Sequence, residues 1–375
     1  MIGPYDGFMA MALRAAARGR GSTGPNPRVG AVVVRGSQVV GVGFHAVAGG
    51  PHAEVGAIQA AGRKARGATL VVTLEPCSHH GRTPPCTDLI RSVGIARVVI
   101  GTLDPNPRER GAGAAVLEAC GIQVVHRVRE AACRRLVEAY AKYITTGLPF
   151  VTVKLASSLD GRIATHTGDA RWLSDAPFRR LVHRMRGDVQ AVAVGAHTAV
   201  RDDPDLTVRL VASAWNPLRV LYSSRLEVPA DRKLFQRQDR HPTVVLTTRN
   251  ADPRRKKALE ALGVSVCPVS SRDGRVDLLD SLCELGRRQV AHLLVEGGAG
   301  LAGQFLQRGL ADRLMVAYSP LLLGTRARPL VDWPGVDRVG DSLWFPVEKV
   351  RKVGRDTVVS LRAGPDWTVE AWKEV

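Results

Sequence analysis

One histidine and two cysteines carry the most specific chemistry in the sequence. Pro51-His52-Ala53-Glu54 stands ahead of a helix-like stretch, and Glu75-Pro76-Cys77 and Pro84-Pro85-Cys86 follow after a short apolar run. An imidazole and two thiolates make three ligands of a tetrahedral zinc ion and leave the fourth position for water, which is the layout of a catalytic rather than a structural site. Glu54 stands two residues beyond His52, placed to move protons to a ring nitrogen and a leaving amine during deamination. Both halves of the motif are expected at helix starts. Pro51 and Pro85 suit a first helical turn, and there the dipole and unpaired amides favour thiolate over thiol. Taken singly, His52 could be a capped surface histidine, and Cys77 and Cys86 ordinary buried thiols. Their joint occurrence, each behind a proline and separated by an expected strand, points to zinc. Zinc deaminases of nucleobases carry H-x-E with P-C-x-x-C, whereas here eight residues, Ser78 to Pro85, separate the cysteines.

The second half has less specific signals. Val151-Thr152-Val153-Lys154-Leu155 places one cation inside an apolar run. A lysine in a buried strand is costly unless it is paired or solvated in a cleft, so Lys154 marks either a site or an edge strand. Farther on, the expected strand His292 to Glu296, the turn Gly297 to Gly300 and the helix Leu301 to Arg308 form a strand, glycine turn and helix start, which offers backbone amides to an anion. Gly298, Gly300 and Gly303 satisfy G-x-G-x-x-G. No acidic residue closes the next strand to hold a ribose hydroxyl, so the unit reads as a phosphate-binding turn, or simply a tight connection, rather than a dinucleotide fingerprint.

These residues need scaffolding, and 375 residues are enough for two domains. An amphipathic first helix around Phe8 to Ala17 is followed by expected strands at Gly30 to Arg35, Val39 to Phe44, Ala68 to Leu74, Arg97 to Gly101 and Ile122 to Val125, with helices from about His52 and after Cys86. The pattern predicts an α/β sandwich. Thr145 to Pro149 reads as a joint between a domain of residues 1–146 and one of 147–375. A second α/β series has expected strands at Phe150 to Leu155, Ala191 to Gly195, Arg219 to Ser223, Thr243 to Thr247, Ser265 to Val269, His292 to Glu296 and Arg313 to Tyr318. Arg326 to Val375, with Trp333, Trp344, Trp367 and Trp372, reads as closing strands and packing anchors. Six cysteines, unevenly spread, do not make a disulfide framework. The net charge of +18 is mostly arginine scattered along the chain, which fits a solvated basic surface and phosphorylated substrates better than nucleic acid. No run of eighteen apolar residues and no secretory signal pattern is present, so the expectation is a cytoplasmic protein with neither membrane nor nucleic-acid partner.

His52-Ala53-Glu54 and the run Thr73 to Cys86, T-L-E-P-C-S-H-H-G-R-T-P-P-C, resemble the RibD family of bifunctional riboflavin-biosynthesis enzymes. The eight-residue insertion is characteristic of that family. Pro25 to Gly30, Gly43-Phe44-His45 and Asp104 to Pro107 match it as well. In the second half so do Lys154 to Arg162, Arg171-Trp172, Val194 to Pro204, Leu206 to Arg209 and Glu296-Gly297-Gly298. The resemblance implies a cytidine deaminase-like three-layer αβα domain binding Zn2+ and a dihydrofolate reductase-like α/β domain using NADPH. The implied substrate is a diaminopyrimidinone bearing ribosylamine 5-phosphate, whose ribosyl group is reduced to ribityl. In the first domain the implied substrate contacts are Asn26, His45, His79 and Arg82. Asn26 has an amide suited to a pyrimidine edge, or else serves a turn between two prolines, while His79, His80 and Arg82 could meet the phosphate. In the second domain Ala156, Trp172, Thr198, Asp202, Ser223 and the turn Gly298, Ala299, Gly300, Leu301, Ala302, Gly303 and Gln304 are the implied cofactor contacts. Ala170, Arg186, Leu206, Arg209 and Glu296 are implied substrate contacts, with Lys154 as a catalytic or positioning group. Two arginines would neutralise a sugar phosphate, although Arg186 or Arg209 alone could equally form a surface ion pair. A homo-oligomer is expected. The competing possibilities are a nucleic-acid deaminase with a basic binding domain, and a deaminase with a non-catalytic oligomerisation domain.

Overall fold

The computed structural model describes residues 3–81, 83–213 and 215–373. The chain forms two compact units, one of Met1–Gly147 with Trp367–Val375 and one of Leu148–Asp366.

In the first unit, α1 (Asp6–Ala16) precedes β1 (Gly30–Arg35), β2 (Gln38–Phe44), α2 (Ala53–Ala61), β3 (Thr69–Leu74), α3 (Cys86–Val93), β4 (Arg97–Thr102), α4 (Ala112–Ala119), β5 (Gln123–Val125) and α5 (Glu130–Thr146). The sheet order is β2-β1-β3-β4-β5, with β1 antiparallel to both its neighbours and β3, β4 and β5 parallel. Side chains of a strand alternate between faces, and the apolar runs here are buried on both. Ala31, Val33, Leu70, Val72, Val98 and Ile100 pack against Ala57, Ile90 and Leu117 of α2, α3 and α4. Val32, Val34, Val71 and Val99 pack against Met9 of α1 and Cys133 of α5. The result is the expected three-layer αβα sandwich. Glycine at two positions lets α2 lie directly on β2: a Cβ at Gly41 would meet the Ala57 carbonyl oxygen at 2.1 Å, and one at Gly43 would meet that of Ala53 at 2.3 Å.

In the second unit, β6 (Phe150–Ser158), β7 (Arg162–Ala164), α6 (Ala176–Arg186), β8 (Ala191–Gly195), α7 (Ala196–Asp202), β9 (Leu218–Tyr222), β10 (Thr243–Thr248), α8 (Pro253–Ala261) and β11 (Ser265–Val269) come first. They are followed by β12 (Ser271–Arg272), β13 (Arg275–Val276), α9 (Leu278–Arg287), β14 (His292–Val295), α10 (Ala299–Gln307), β15 (Arg313–Ser319), β16 (Arg328–Pro329), β17 (Val347–Val353) and β18 (Asp356–Arg362). Nine strands form one sheet in the order β11-β10-β9-β8-β14-β6-β15-β18-β17. It is parallel from β11 to β15 and antiparallel at β18 and β17. Because β6 lies between β14 and β15, Lys154 is on an interior strand and the edge-strand alternative falls away. The late strand β14 inserts between β8 and β6, and in open parallel sheets such a departure from sequential order places a ligand crevice at the carboxyl ends of the strands.

The expected strands recur with shifted ends, the largest shift being the extension of β6 to Ser158. The pairs β7–β16 and β12–β13, built from strands of two or three residues, were not expected, since strands this short have no periodicity to detect. The C-terminus departs more from expectation. Instead of staying with residues 148–366, the final segment with α11 (Trp367–Glu370) belongs to the first unit. Lys142 on α5 lies 5.7 Å from the Trp367 ring centre, and the Arg134 guanidinium lies 4.8 Å from that of Trp372. These cation–π contacts, with the apolar area of two indoles, draw the segment back to α5. No helix among the described residues is long and apolar enough to cross a membrane.

Candidate active sites

His52 is the residue before the first turn of α2, Glu54 lies in that turn, Cys77 follows β3, and Cys86 opens α3. Two helix starts and a strand end thus converge. His52 Nδ1 lies 3.5 Å from Cys77 Sγ and 3.3 Å from Cys86 Sγ, and the three ligand atoms all fall within 4.8 Å of one another. A tetrahedral zinc with ordinary bond lengths separates nitrogen from sulfur by about 3.6 Å, so this donor set fits the ion. The Cys86 amide donates to Cys77 Sγ at 3.4 Å, as expected for thiolate at a helix start. Hydrogen bonding from Cys86 holds the Cys77 thiol well below its ordinary range and correspondingly pushes Cys86 up. With Nδ1 facing the sulfurs, His52 Nε2 is left to Thr83 Oγ1 at 3.4 Å, a second-sphere bond that sets the ring.

Glu54 is 3 % exposed. Burial raises its carboxyl group to about 7, although the charge of His52 opposes the shift. A carboxyl group titrating near neutrality both accepts and returns a proton. Glu54, His52 and Cys77 line a cavity of about 340 Å³ together with Asn26, His45, His79, Asp104, Asn106 and Glu109. His45 Nδ1 donates to the Pro51 carbonyl at 3.0 Å, which leaves Nε2 to accept from Asn26 Nδ2 at 3.3 Å. Burial lowers the His45 pKa, consistent with that neutral tautomer. Arg82 lies outside the described residues, and His80 is exposed.

Among the pocket residues that sequence reasoning missed, three carry polar side chains. Glu109 accepts from Ser78 N at 3.2 Å and Ser78 Oγ at 3.3 Å and lies 2.6 Å from His79 Nδ1, so it ties the inserted loop to the pocket. Nothing in the local sequence indicates a partner thirty residues away. Tyr140 and Tyr143 also line the cavity. Their three-residue spacing puts them on one face of α5, a signal the sequence did carry.

In the second unit the Glu296 carboxylate, at the end of β14, pairs with Arg186 through Nε at 2.6 Å and Nη2 at 3.0 Å, and Arg186 Nη1 donates to the Thr207 carbonyl at 3.0 Å. Both side chains are about nine-tenths buried. The expected substrate contacts Arg186 and Glu296 are therefore partners of each other, in a buried ion pair rather than a surface one. Burial lowers the Lys154 pKa against the pull of Glu296, and its ammonium lies 5.4 Å from the Phe178 ring centre. Arg209 remains half exposed, held by Asp205 at 2.9 Å, and its amide donates to His183 Nδ1 at 2.9 Å. Burial, then the charges of Arg186 and Arg209, push His183 down to about 4.

The Gly298 amide donates to Thr198 Oγ1 at 3.2 Å, joining the starts of α10 and α7. The first-turn amides of α10, at Ala299, Gly300 and Leu301, have no intrahelical acceptor, and a Cβ at Gly300 would meet nothing within 4 Å. That opening fits the phosphates of a dinucleotide. Gln304 caps the turn through its bond to the Gly300 carbonyl at 3.2 Å. Ala156 shares a face of β6 with Lys154, Ala170 is half-buried, Asp202 is exposed, and Trp172 is 66 % exposed under the Arg179 guanidinium. Four expected contacts are buried. Leu206 is 1 % exposed and packs with Val192, Val194 and Leu221, so only its backbone, at φ 56°, can face a ligand. The side chains of Ser223 and Ala302, and Gly303, are likewise buried. Sequence resemblance transfers a position but not the direction in which its side chain points.

Two family models match the chain: the RibD C-terminal domain over residues 149–359, and the cytidine and deoxycytidylate deaminase zinc-binding region over residues 4–102. The chain is 41% identical over 355 residues to the riboflavin biosynthesis protein RibD of Aquifex aeolicus, covering 95% of this chain and 97% of the relative. It is similar to the structure of Acinetobacter baumannii RibD at 34% identity, with a TM-score of 0.86 and coverage of 96% and 99% of the two chains. A diaminohydroxyphosphoribosylaminopyrimidine deaminase/5-amino-6-(5-phosphoribosylamino)uracil reductase from Thermotoga maritima shares 38% identity, with a TM-score of 0.84 and coverage of 96% and 98%.

Proposed function

The chain belongs to the RibD family of bifunctional deaminase–reductases of riboflavin biosynthesis, and from that premise we propose how its residues divide the work. The first unit hydrolyses the amino group of a diaminopyrimidinone bearing ribosylamine 5-phosphate, and the second reduces the ribosyl group to ribityl with NADPH. The observation that carries the first assignment is the meeting of three zinc-ligand atoms within 4.8 Å beside a buried carboxyl group. His52, Cys77 and Cys86 would hold zinc, which when bound supplies the Lewis acidity that makes water nucleophilic at neutral pH. Glu54 takes a proton from the attacking water and delivers it to the ring nitrogen, then takes the second proton from the hydroxyl newly bonded to the ring carbon and delivers it to the leaving amine, so that the carbonyl forms as the carbon–nitrogen bond breaks and ammonia departs. Asn26, held by His45, presents the edge of its amide to the pyrimidine, with the His45 ring lining the pocket beside it. His79, tied to Glu109, meets the ribose phosphate, and the resemblance assigns Arg82 to the same group.

In the second unit the start of α10, with Thr198, would hold the cofactor phosphates, and NADPH when bound supplies the hydride. The resemblance adds Ala156, Trp172 and Asp202 as further cofactor contacts. Lys154 meets the reacting end of the opened sugar, its lowered pKa suiting it to give up a proton. Arg209 offers its exposed guanidinium to the phosphate, and the Arg186–Glu296 pair holds the crevice in shape and touches substrate from its rim. A cytoplasmic, homo-oligomeric enzyme completes the proposal.

A coupled assay on the phosphorylated diaminopyrimidine tests both halves. One equivalent of ammonia is expected, followed by one equivalent of NADPH oxidised and little NADH. Zinc-loaded protein that releases no ammonia would overturn the first assignment. Ammonia without NADPH oxidation would overturn the second and leave a non-catalytic second unit.

A further inference from the structure

Between β4 and α4 the chain forms a loop that delivers Asp104, Asn106 and Glu109 to the pocket of the first unit. The final segment grips this loop near both ends. Trp372 Nε1 donates to the Leu103 carbonyl at 3.0 Å, an acceptor it shares with Thr102 Oγ1 at 3.3 Å, immediately before Asp104. At the far end Arg110, next to Glu109, donates to the carbonyls of Ala371 and of Lys373, the latter at 3.2 Å, and to Pro105 within the loop at 3.4 Å. The same segment is fastened to α5, which supplies Tyr140 and Tyr143 to the pocket: Arg134 donates to the Thr368 carbonyl at 3.1 Å and lies over the Trp372 ring. Glu109 passes the constraint onward to Ser78 and His79 of the inserted loop.

We propose that residues Trp367–Lys373, which follow the reductase in sequence, are a positioning element of the deaminase. They hold the Leu103–Arg110 loop in its binding geometry before substrate arrives, so that the loop need not be ordered at the moment of binding. His52, Glu54, Cys77 and Cys86 come from other elements, so the segment acts on substrate affinity and leaves the chemical step alone. Trp372 is a positioning residue, not a catalytic one.

Trp372→Phe in the full-length protein removes the indole N–H while keeping an aromatic ring against Arg134. The expected result is a rise in KM for deamination of about threefold to tenfold, the range open to one ordinary hydrogen bond. The deaminase kcat should stay within about twofold, and zinc content and reduction of pre-deaminated substrate should not change. Arg110→Ala should raise the same KM further, since it frees the opposite end of the loop. A Trp372→Phe enzyme with unaltered KM, or one whose KM changes only alongside loss of zinc and of reduction, overturns the proposal. The inference rests on the pocket being the deamination site, and ammonia release by the unsubstituted enzyme is the control: if that is absent the site assignment itself fails, and if present the variants judge the segment alone.

Discussion

The two sites solve different problems with different materials. The first gathers a nitrogen, two sulfurs and a carboxyl group whose chemical types are specific to metal-assisted hydrolysis. The second is made largely of backbone amides, glycine and a pair of charges that neutralise each other, because a bound dinucleotide brings its own reactivity and needs chiefly to be held. Specific side chains announce a site from afar, whereas a cradle of amides looks like any strand–turn–helix connection until the chain is folded.

That contrast can be broken at several points. The largest effect is expected from Glu54→Gln, which should lower ammonia release by about a hundredfold to ten-thousandfold, the usual contribution of a general acid–base. Zinc content by elemental analysis and reduction of pre-deaminated substrate should be unchanged. Loss of reduction as well would show that the two sites are not independent.

Glu296→Ala should be next. It leaves the Arg186 guanidinium buried without its partner, and removing one member of such a pair costs about 3–5 kcal/mol. Urea unfolding should show the loss in the transition of the second unit only. Replacing both residues by methionine should restore much of the stability. If that double variant also regained full reduction, Glu296 and Arg186 would be structural and the substrate assignment would go.

The smallest effect concerns pH. His183 has a folded pKa of about 4, below its ordinary value, so between about 6.5 and 4 the unfolded chain takes up a proton that the folded one refuses. Stability should therefore fall as pH drops through that window, by about 3 kcal/mol at most, and this contribution should level off below it. His183→Gln should flatten that part of the curve. An unchanged slope would mean that the imidazole does not enter the fold neutral, and that its bond to the Arg209 amide does not set the substrate loop.

Legibility in the sequence followed the same divide. The central strands of both sheets were visible as apolar runs because strands buried on both faces contain little else. The candidate zinc ligands were visible because a histidine and two cysteines each stand directly behind a proline. Lys154 stood out as a charge within such a run. Glu109 did not, since its partners Ser78 and His79 lie thirty residues away, and Leu206 was assigned to the substrate although its side chain turns into the core.

What the sequence determined by itself was therefore the inventory: two α/β domains, a metal-binding triad with its carboxyl group, and a glycine turn ahead of a helix, all of them local patterns. Tertiary structure alone decided which of those groups face one another: that Arg186 is matched by Glu296, that Glu109 anchors the inserted loop, and that Trp367–Lys373 return to α5 and the Leu103–Arg110 loop. Such pairings depend on distances between segments far apart in the chain, and a distance exists only once the sheets have set their strand order.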